Sequence, residues 1–163
     1  MIPLDPPRLF IDACRALDLP CKLIESYDSI YAPTAKWIYA AKTTKTRPFV
    51  LGVNGAQGAG KSTFCALLKL VLNAAGMSCA ILSIDDLYHT RTHRKHLGQG
   101  IHPLCSIRGV PGTHDIELGH QILEQLCTQS SDQTTRVPRF KKAADDRSPS
   151  SEWTAIIGPV DVI

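Results

Sequence analysis

The sequence predicts an α/β fold, a parallel sheet flanked by helices, and three observations carry that prediction. The first is Gly55-Ala56-Gln57-Gly58-Ala59-Gly60-Lys61-Ser62, which fits the pattern of a phosphate-binding loop: Gly, four residues, then Gly-Lys-Ser. The second is its setting. Residues 48–54 are a short apolar run of strand length, and Phe64, Leu67, Leu68, Val71, Leu72 and Ala75 recur at helical spacing until Gly76. The third is another apolar run, residues 77–84, directly after that helix. Two apolar strands joined by a helix make a βαβ unit with a right-handed crossover.

The loop has a physical logic. Glycines reach backbone angles closed to other residues and let the main chain approach a phosphate. Successive N–H groups form an anion nest, and the helix N-terminus adds partial positive charge. Lys61 is placed to bring an ammonium to β- and γ-phosphates, and Ser62 to offer a hydroxyl to Mg²⁺. Thr63 completes the phosphate-side set Gly55 to Thr63.

Asp85-Asp86-Leu87-Tyr88 follows at the carboxyl end of the second strand. In open α/β sheets the ligand crevice lies outside the carboxyl ends of the strands. Asp85 is therefore the candidate to order Mg²⁺ or to take the proton of an attacking hydroxyl. The alternative for either aspartate is a helix N-cap.

Composition narrows the function classes. The 163 residues suffice for one domain with a real core, and 44% hydrophobic with 20% charged residues is ordinary for a globular protein. A net charge of +3, without a concentrated basic patch, permits anionic ligands and gives no argument for nucleic acid. Six scattered cysteines with no Cys-x-x-Cys pair favour reduced thiols in a cytoplasmic protein. No apolar run approaches the roughly 20 residues of a membrane span, and the N-terminus lacks the form of a signal peptide. Oligomeric state is not legible.

Ahead of the loop, residues 7–18 read as a short helix capped by Asp5, with Leu9, Phe10, Cys14 and Leu17 on its apolar face. Residues 21–42 read as further helix interrupted near Pro33, and Lys42 to Arg47 as a solvated basic joint. The division expected is an N-terminal helical segment, 1–46, and a core, 47–163.

Beyond Tyr88, residues 89–107 read as an exposed segment. His89, His93 and His96 have helical spacing, so a metal site is the competing reading. Arg108-Gly109-Val110-Pro111-Gly112-Thr113-His114-Asp115 is a tight turn, and Arg108 beside it is a plausible anion holder. A helix follows with Ile116, Ile122, Leu123 and Leu126 on one face. Residues 128–135 read as a polar loop, 137–142 as a short strand end, 143–150 as loop and 151–153 as a helical turn. Val160-Asp161-Val162-Ile163 begins an apolar strand. A buried parallel strand is ordinarily followed by more sheet, so the expectation is an incomplete domain, with a terminal edge strand as the alternative.

Together the loop, Ser-Ile-Asp-Asp-Leu-Tyr (83–88), Arg-Gly-Val-Pro-Gly-Thr-His-Asp (108–115), Pro-Arg-Phe (138–140), Asp-Asp-Arg (145–147) and Trp153 resemble the D-glycerate 3-kinase-like P-loop kinases. These are relatives of uridine kinase, pantothenate kinase and phosphoribulokinase. The resemblance runs from about residue 20 to the last residue, and the 108–115 block is its most diagnostic part. It implies a P-loop kinase-type sheet, ATP and Mg²⁺ as cofactors, and phosphorylation of a small hydroxylated metabolite such as D-glycerate. Asp85 falls on the position of the catalytic base. Tyr88, Arg108, His114, Asp115, Arg139 and Arg147 match the substrate side. Leu87 replaces a phenylalanine, and Lys141 stands where an aspartate or asparagine is expected. Family members continue into a Glu-Gly-Trp motif, a lid and an adenine pocket. A catalytically incomplete nucleotide-binding fragment, and a uridine or pantothenate kinase-like enzyme, are the alternatives. A GTPase or transport ATPase offers no place for the Asp85-Asp86 pair and the 108–115 turn.

Overall fold

The computed structural model describes residues 8–44 and 46–163. The cap expected at Asp5 lies outside them. The chain divides into two compact units: Met1–Ile81 joined by Val160–Ile163, and Leu82–Pro159. The boundary expected at 46/47 falls inside the first unit.

In the first unit, α1 (Arg8–Ala16), α2 (Cys21–Glu25) and α3 (Ala32–Thr43) precede the phosphate loop, and α4 (Lys61–Ala74) follows it. Pro33 does not interrupt the second helical stretch. It lies in the first turn of α3, where its missing N–H is no loss. The irregularity comes earlier, as a π-helical turn over Tyr27–Tyr31. That turn directs Tyr27 and Tyr31 inward, where both rings meet Phe10 edge-on at centroid distances of 5.1 and 4.9 Å. Tyr31 also contacts Phe64 of α4 at 5.3 Å. The helices before the loop and the loop helix therefore share one core, with Leu67, Leu68, Val71 and Leu72 at its centre. On α1, Leu9 and Leu17 are exposed, so the buried face is narrower than its pattern suggests and centres on Phe10 and Cys14.

The sheet of this unit is short and parallel. Residues 160–163 lie between the two strands read from the sequence. Val162 bridges Phe49 on one side and Cys79 on the other. Phe49 N–H donates to Asp161 O and Leu51 N–H to Ile163 O, each at 2.8 Å, while Ala80 N–H donates to Val162 O at 2.9 Å. The βαβ reading holds, but its strands are not neighbours, and the last segment is central among these three rather than at an edge. Asp161 fixes the register: its Oδ2 accepts the Ser78 amide at 2.9 Å, and its Oδ1 meets Lys42 Nζ at 3.7 Å. Lys42 is thus no solvated linker, because α3 runs on and carries its side chain, 18% exposed, to that carboxylate.

In the second unit, the apolar run after Cys79 gives way to a 3-10 turn, Ile84–Leu87, capped by the Ser83 hydroxyl. Ile84 is consequently exposed, not a buried strand residue. The segment expected to be exposed is a helix, α5 (Arg91–Gly100), capped by the Thr90 hydroxyl and with Arg94 as its buried residue. A second 3-10 turn, Pro103–Ser106, packs on α5. α6 (Ile116–Thr128) buries Gly119, Ile122 and Leu126 and leaves Ile116 exposed. Two antiparallel pairs complete the unit: β1 (Thr134–Val137) with β4 (Thr154–Ile157), and β2 (Phe140–Lys141) with β3 (Asp146–Arg147). β1 occupies the end of the expected polar loop. β2 falls within the strand end expected over 137–142, and β3, where loop was expected, closes a tight hairpin with it; Asp145 takes a left-handed φ of 52° at its turn. The helical turn near Trp153 is present as Ser150–Glu152.

Candidate active site

The phosphate loop has the backbone its sequence demands. Gly58 and Gly60 adopt φ of 79° and 80°, the region where a Cβ is strained. Gly60 is the N-cap of α4 and caps it without a side chain. Residues 54–60 are exposed, so the amides at this helix start are open to an anion. Lys61 Nζ donates to the carbonyls of Gly55 (2.7 Å) and Ala56 (2.8 Å). Among the described residues no carboxylate pairs with it, so its charge is uncompensated within the loop. Ser62 is exposed in the first turn of α4, and Thr63 is partly buried beside it. Gly55 to Thr63 is therefore one continuous loop-to-helix segment that carries a hydroxyl and an ammonium side by side.

The remaining site candidates lie in the second unit, where Asp85, Asp86, Asp115 and Asp145 each pair with a cation. Asp85, with its side chain 44% exposed, pairs with Lys142 Nζ at 2.9 Å. Asp86 is buried and accepts from Arg139 Nη1 at 3.0 Å and from the Phe140 amide at 2.8 Å. The helix-cap alternative for the two aspartates does not hold, since the cap is Ser83. Asp86 instead ties the 3-10 turn to β2. Arg139 also donates to Thr154 Oγ1 at 2.9 Å, so it braces this unit from both ends of its guanidinium.

The 108–115 block is a turn with Gly109 at φ 91° and Gly112 at φ 83°. The buried Thr113 closes it by donating to Val110 O at 2.5 Å. The block pairs with the segment after the 3-10 turn: Asp115 N–H donates to Leu87 O and His89 N–H to Thr113 O. The pairing stacks His114 on Tyr88 at 4.1 Å. Burial lowers the His114 pKa, and the Asp85 charge opposes that shift only in part, so the ring stays neutral below its usual midpoint.

Asp115 caps α6 through the Leu118 amide and takes Arg147 Nη1 at 3.0 Å. Burial pushes its carboxyl pKa up, but the Arg147 hydrogen bond, the Leu118 amide and the Arg147 and His89 charges outweigh burial and hold it below the usual value. His89 lies 3.7 Å from Asp115 and stacks on His93 at 4.1 Å. Among the described residues no group of three metal-ligating side chains is present, so the metal reading of His89, His93 and His96 finds no support.

Arg108 has its Nε 2.7 Å from Asp145 Oδ1 and its guanidinium 5.2 Å from the Phe140 ring centroid. The same carboxylate takes Arg94, which is wholly buried. The sequence reading missed Arg94 because it sits in a His- and Arg-rich run that looks solvated. It missed Lys142 because a lysine beside a turn carries no pattern of its own. Lys141, at the position of the family departure, is exposed and ion-pairs with Glu152 at 2.5 Å.

No family model matches the chain. Comparison with individual proteins is decisive. The chain is 32% identical over 126 residues to the chloroplastic D-glycerate 3-kinase of Arabidopsis thaliana, covering 71% of this chain and 27% of that protein. The chain is a homologue of the glycerate kinase-like P-loop kinases. Among these kinases it is 30% identical over 136 residues to the uncharacterized kinase mug58 of Schizosaccharomyces pombe, covering 80% of this chain and 49% of mug58. A solved D-glycerate 3-kinase from Cryptococcus neoformans superposes with a TM-score of 0.68 at 29% identity, over 82% of this chain and 50% of that one. The fold is that of a P-loop kinase, and this kinase homologue spans half or less of the length of these relatives.

Proposed function

We propose that the chain carries the phosphate grip and acceptor-side residues of an ATP-dependent small-molecule kinase that acts on D-glycerate or a similar hydroxy acid. The observation that carries this reading is the phosphate loop, with positive φ at Gly58 and Gly60 and a Lys61 ammonium that meets only loop carbonyls. The names of the relatives supply the substrate class.

When bound, Mg²⁺ would offset the negative charge of the β- and γ-phosphates. Ser62, in the first turn of α4, is the residue of the phosphate loop that would hold it. The loop amides not engaged within the loop, together with the Lys61 ammonium, bind the polyphosphate and fix its orientation. Asp85, solvent-accessible and paired only with an exposed lysine, accepts the proton of the substrate hydroxyl. The hydroxyl oxygen then forms a bond to the γ-phosphorus as the bond to the β-γ bridging oxygen breaks, and ADP leaves with that electron pair. Arg108, Arg139 and Arg147 offset charge on the acceptor side, while Tyr88, His114 and Asp115 shape it. All six cysteines are free thiols, which supports a reducing compartment such as the cytoplasm. Among the described residues no helix is long and apolar enough to cross a membrane.

The test is ADP formation by the chain with ATP, Mg²⁺ and D-glycerate, followed with a coupled assay. The Asp85→Asn variant should lose turnover and keep ATP binding. Undiminished turnover in that variant removes Asp85 from the role of base.

A further inference from the structure

The second unit holds an arrangement that the kinase reading uses only through Arg108: two arginines on one aspartate, both beside one ring. Arg94 has no exposed side-chain surface. Its Nη2 donates to Asp145 O at 2.6 Å and to Asp145 Oδ2 at 3.0 Å, and its Nη1 donates to Oδ1 at 3.3 Å. Its Nε is buried with no hydrogen-bond partner. A guanidinium buried that completely is costly unless its partner is held in place. Here the partner sits at a hairpin turn with φ of 52°, so backbone and carboxylate are fixed together.

Arg108 forms an ion pair with the same carboxylate, its Nε 2.7 Å from Oδ1. Its side chain is 34% exposed, and its terminal nitrogens make no hydrogen bond among the described residues. Its guanidinium carbon lies over the Phe140 ring at 5.2 Å, as does that of Arg94 at 5.6 Å. Two positive charges share one negative charge, which leaves the group at +1. The excess sits on the exposed member, whose fork edge is free. A fixed, uncompensated guanidinium with that edge open suits a carboxylate, which it can bind through two parallel hydrogen bonds.

We propose that Arg108 binds the carboxylate of the acceptor substrate, and that Asp145 and Arg94 are positioning residues that hold its Nε side and aim its fork. The proposal rests on the kinase reading for the existence of an acceptor. It goes further in assigning the acid group of that acceptor to Arg108, and a role to two residues that touch no substrate. Asp145 contributes orientation: its ion pair with Arg108 anchors the Nε end of the guanidinium, and the terminal nitrogens make no hydrogen bond among the described residues.

The test is calorimetric titration of the full chain with D-glycerate and with glycerol, which lacks the carboxylate, and separately with ATP and Mg²⁺. The unaltered chain should bind D-glycerate in clear preference to glycerol. Arg108→Gln should weaken D-glycerate binding by roughly ten- to hundred-fold, the range of a hydrogen-bonded charge, and leave the glycerol and ATP isotherms unchanged. Asp145→Asn should give a smaller loss confined to D-glycerate. Arg94→Lys, which keeps the charge and loses the fork, should behave as Asp145→Asn does. Equal affinity for D-glycerate and glycerol, or unchanged D-glycerate binding in Arg108→Gln, overturns the proposal. So does a loss in Asp145→Asn or Arg94→Lys that extends equally to ATP, because a merely structural role predicts that. Retained ATP binding in any of these cases leaves the kinase reading standing, whereas absence of ATP binding strikes that reading itself.

Discussion

Asp86 holds Arg139 at 3.0 Å, and the two residues lock the turn after the second strand onto the hairpin strand β2. Among the described residues, its neighbour Asp85 has only the exposed Lys142 as an ion-pair partner. One of two adjacent carboxylates is thereby committed to structure and the other is left available for chemistry. Asp86→Ala should cost about 2–3 kcal/mol, below the full figure for a buried pair because Arg139 is 42% exposed. Asp85→Asn should change stability by less than about 1 kcal/mol. Urea denaturation of both variants checks the contrast, and equal losses would contradict the assignment.

Lys61 should matter to nucleotide and hardly at all to folding. Its amine bonds loop carbonyls in an exposed segment, so Lys61→Ala should cost at most about 1 kcal/mol of stability. In phosphoryl transfer the same change should raise the barrier by several kcal/mol, a fall in rate of roughly a thousandfold. Thermal melts with and without ATP, alongside turnover, separate the two effects.

These first two cases also show what was legible from sequence. The loop, its helix and the strand before it were readable because each obeys a local rule: glycine φ, helical period, strand length. The partition of Asp85 from Asp86 was not, since it depends on Arg139, which is 53 residues away in the chain. The centrality of residues 160–163 was hidden for the same reason. Apolar patterning marks a strand, but its neighbours are set by long-range pairing. Arg94 was the hardest, because a buried arginine looks like a surface one until its partner is known. Thr154–Ile157 passed unread as a strand: its side chains alternate between partial burial and exposure, and the four residues follow a turn.

The acid limb of stability should respond to Asp115. Its folded pKa lies below the usual 3.8. Its contribution is therefore complete above the unfolded value and is lost as pH falls through the folded one. His89 and His114 act at higher pH. Burial lowers both below 6.5, with His93 adding to the shift at His89, so the unfolded chain takes up protons first and stability declines as pH drops below 6.5. Asp115→Asn should flatten the loss below about pH 4 and leave the decline below pH 6.5 in place. Denaturation midpoints from pH 3 to pH 8 test both signs.

Gly119 is a packing constraint on α6. A Cβ built there would lie 2.8 Å from Leu87 Cδ1. Alanine ordinarily stabilises a helix interior by up to about 1 kcal/mol over glycine. Here the clash should reverse the sign, giving a net loss of about 1 kcal/mol for Gly119→Ala. Adding Leu87→Ala should remove the clash, so that the two changes are not additive. A double-mutant cycle by denaturation measures that coupling.

Thiol reactivity should divide by burial. Desolvation pushes Cys79 up to about 12, against a smaller downward pull from Lys69, whereas Cys21 is exposed. A thiol reagent at pH 8 should label Cys21 in the folded chain and reach Cys79 only after unfolding. Mass spectrometry of the labelled protein reads this directly.

The place of residues 160–163 between 49–51 and 78–80 has a consequence for biosynthesis. The strands on either side are made early, yet among the described residues their shared partner, Val162, follows only after the whole of Leu82–Pro159 has been translated. During that interval the amphipathic α4 and both flanking strands present apolar surface with the middle of their sheet missing. The nascent chain should therefore depend on chaperones until Val162 emerges and closes the ladder.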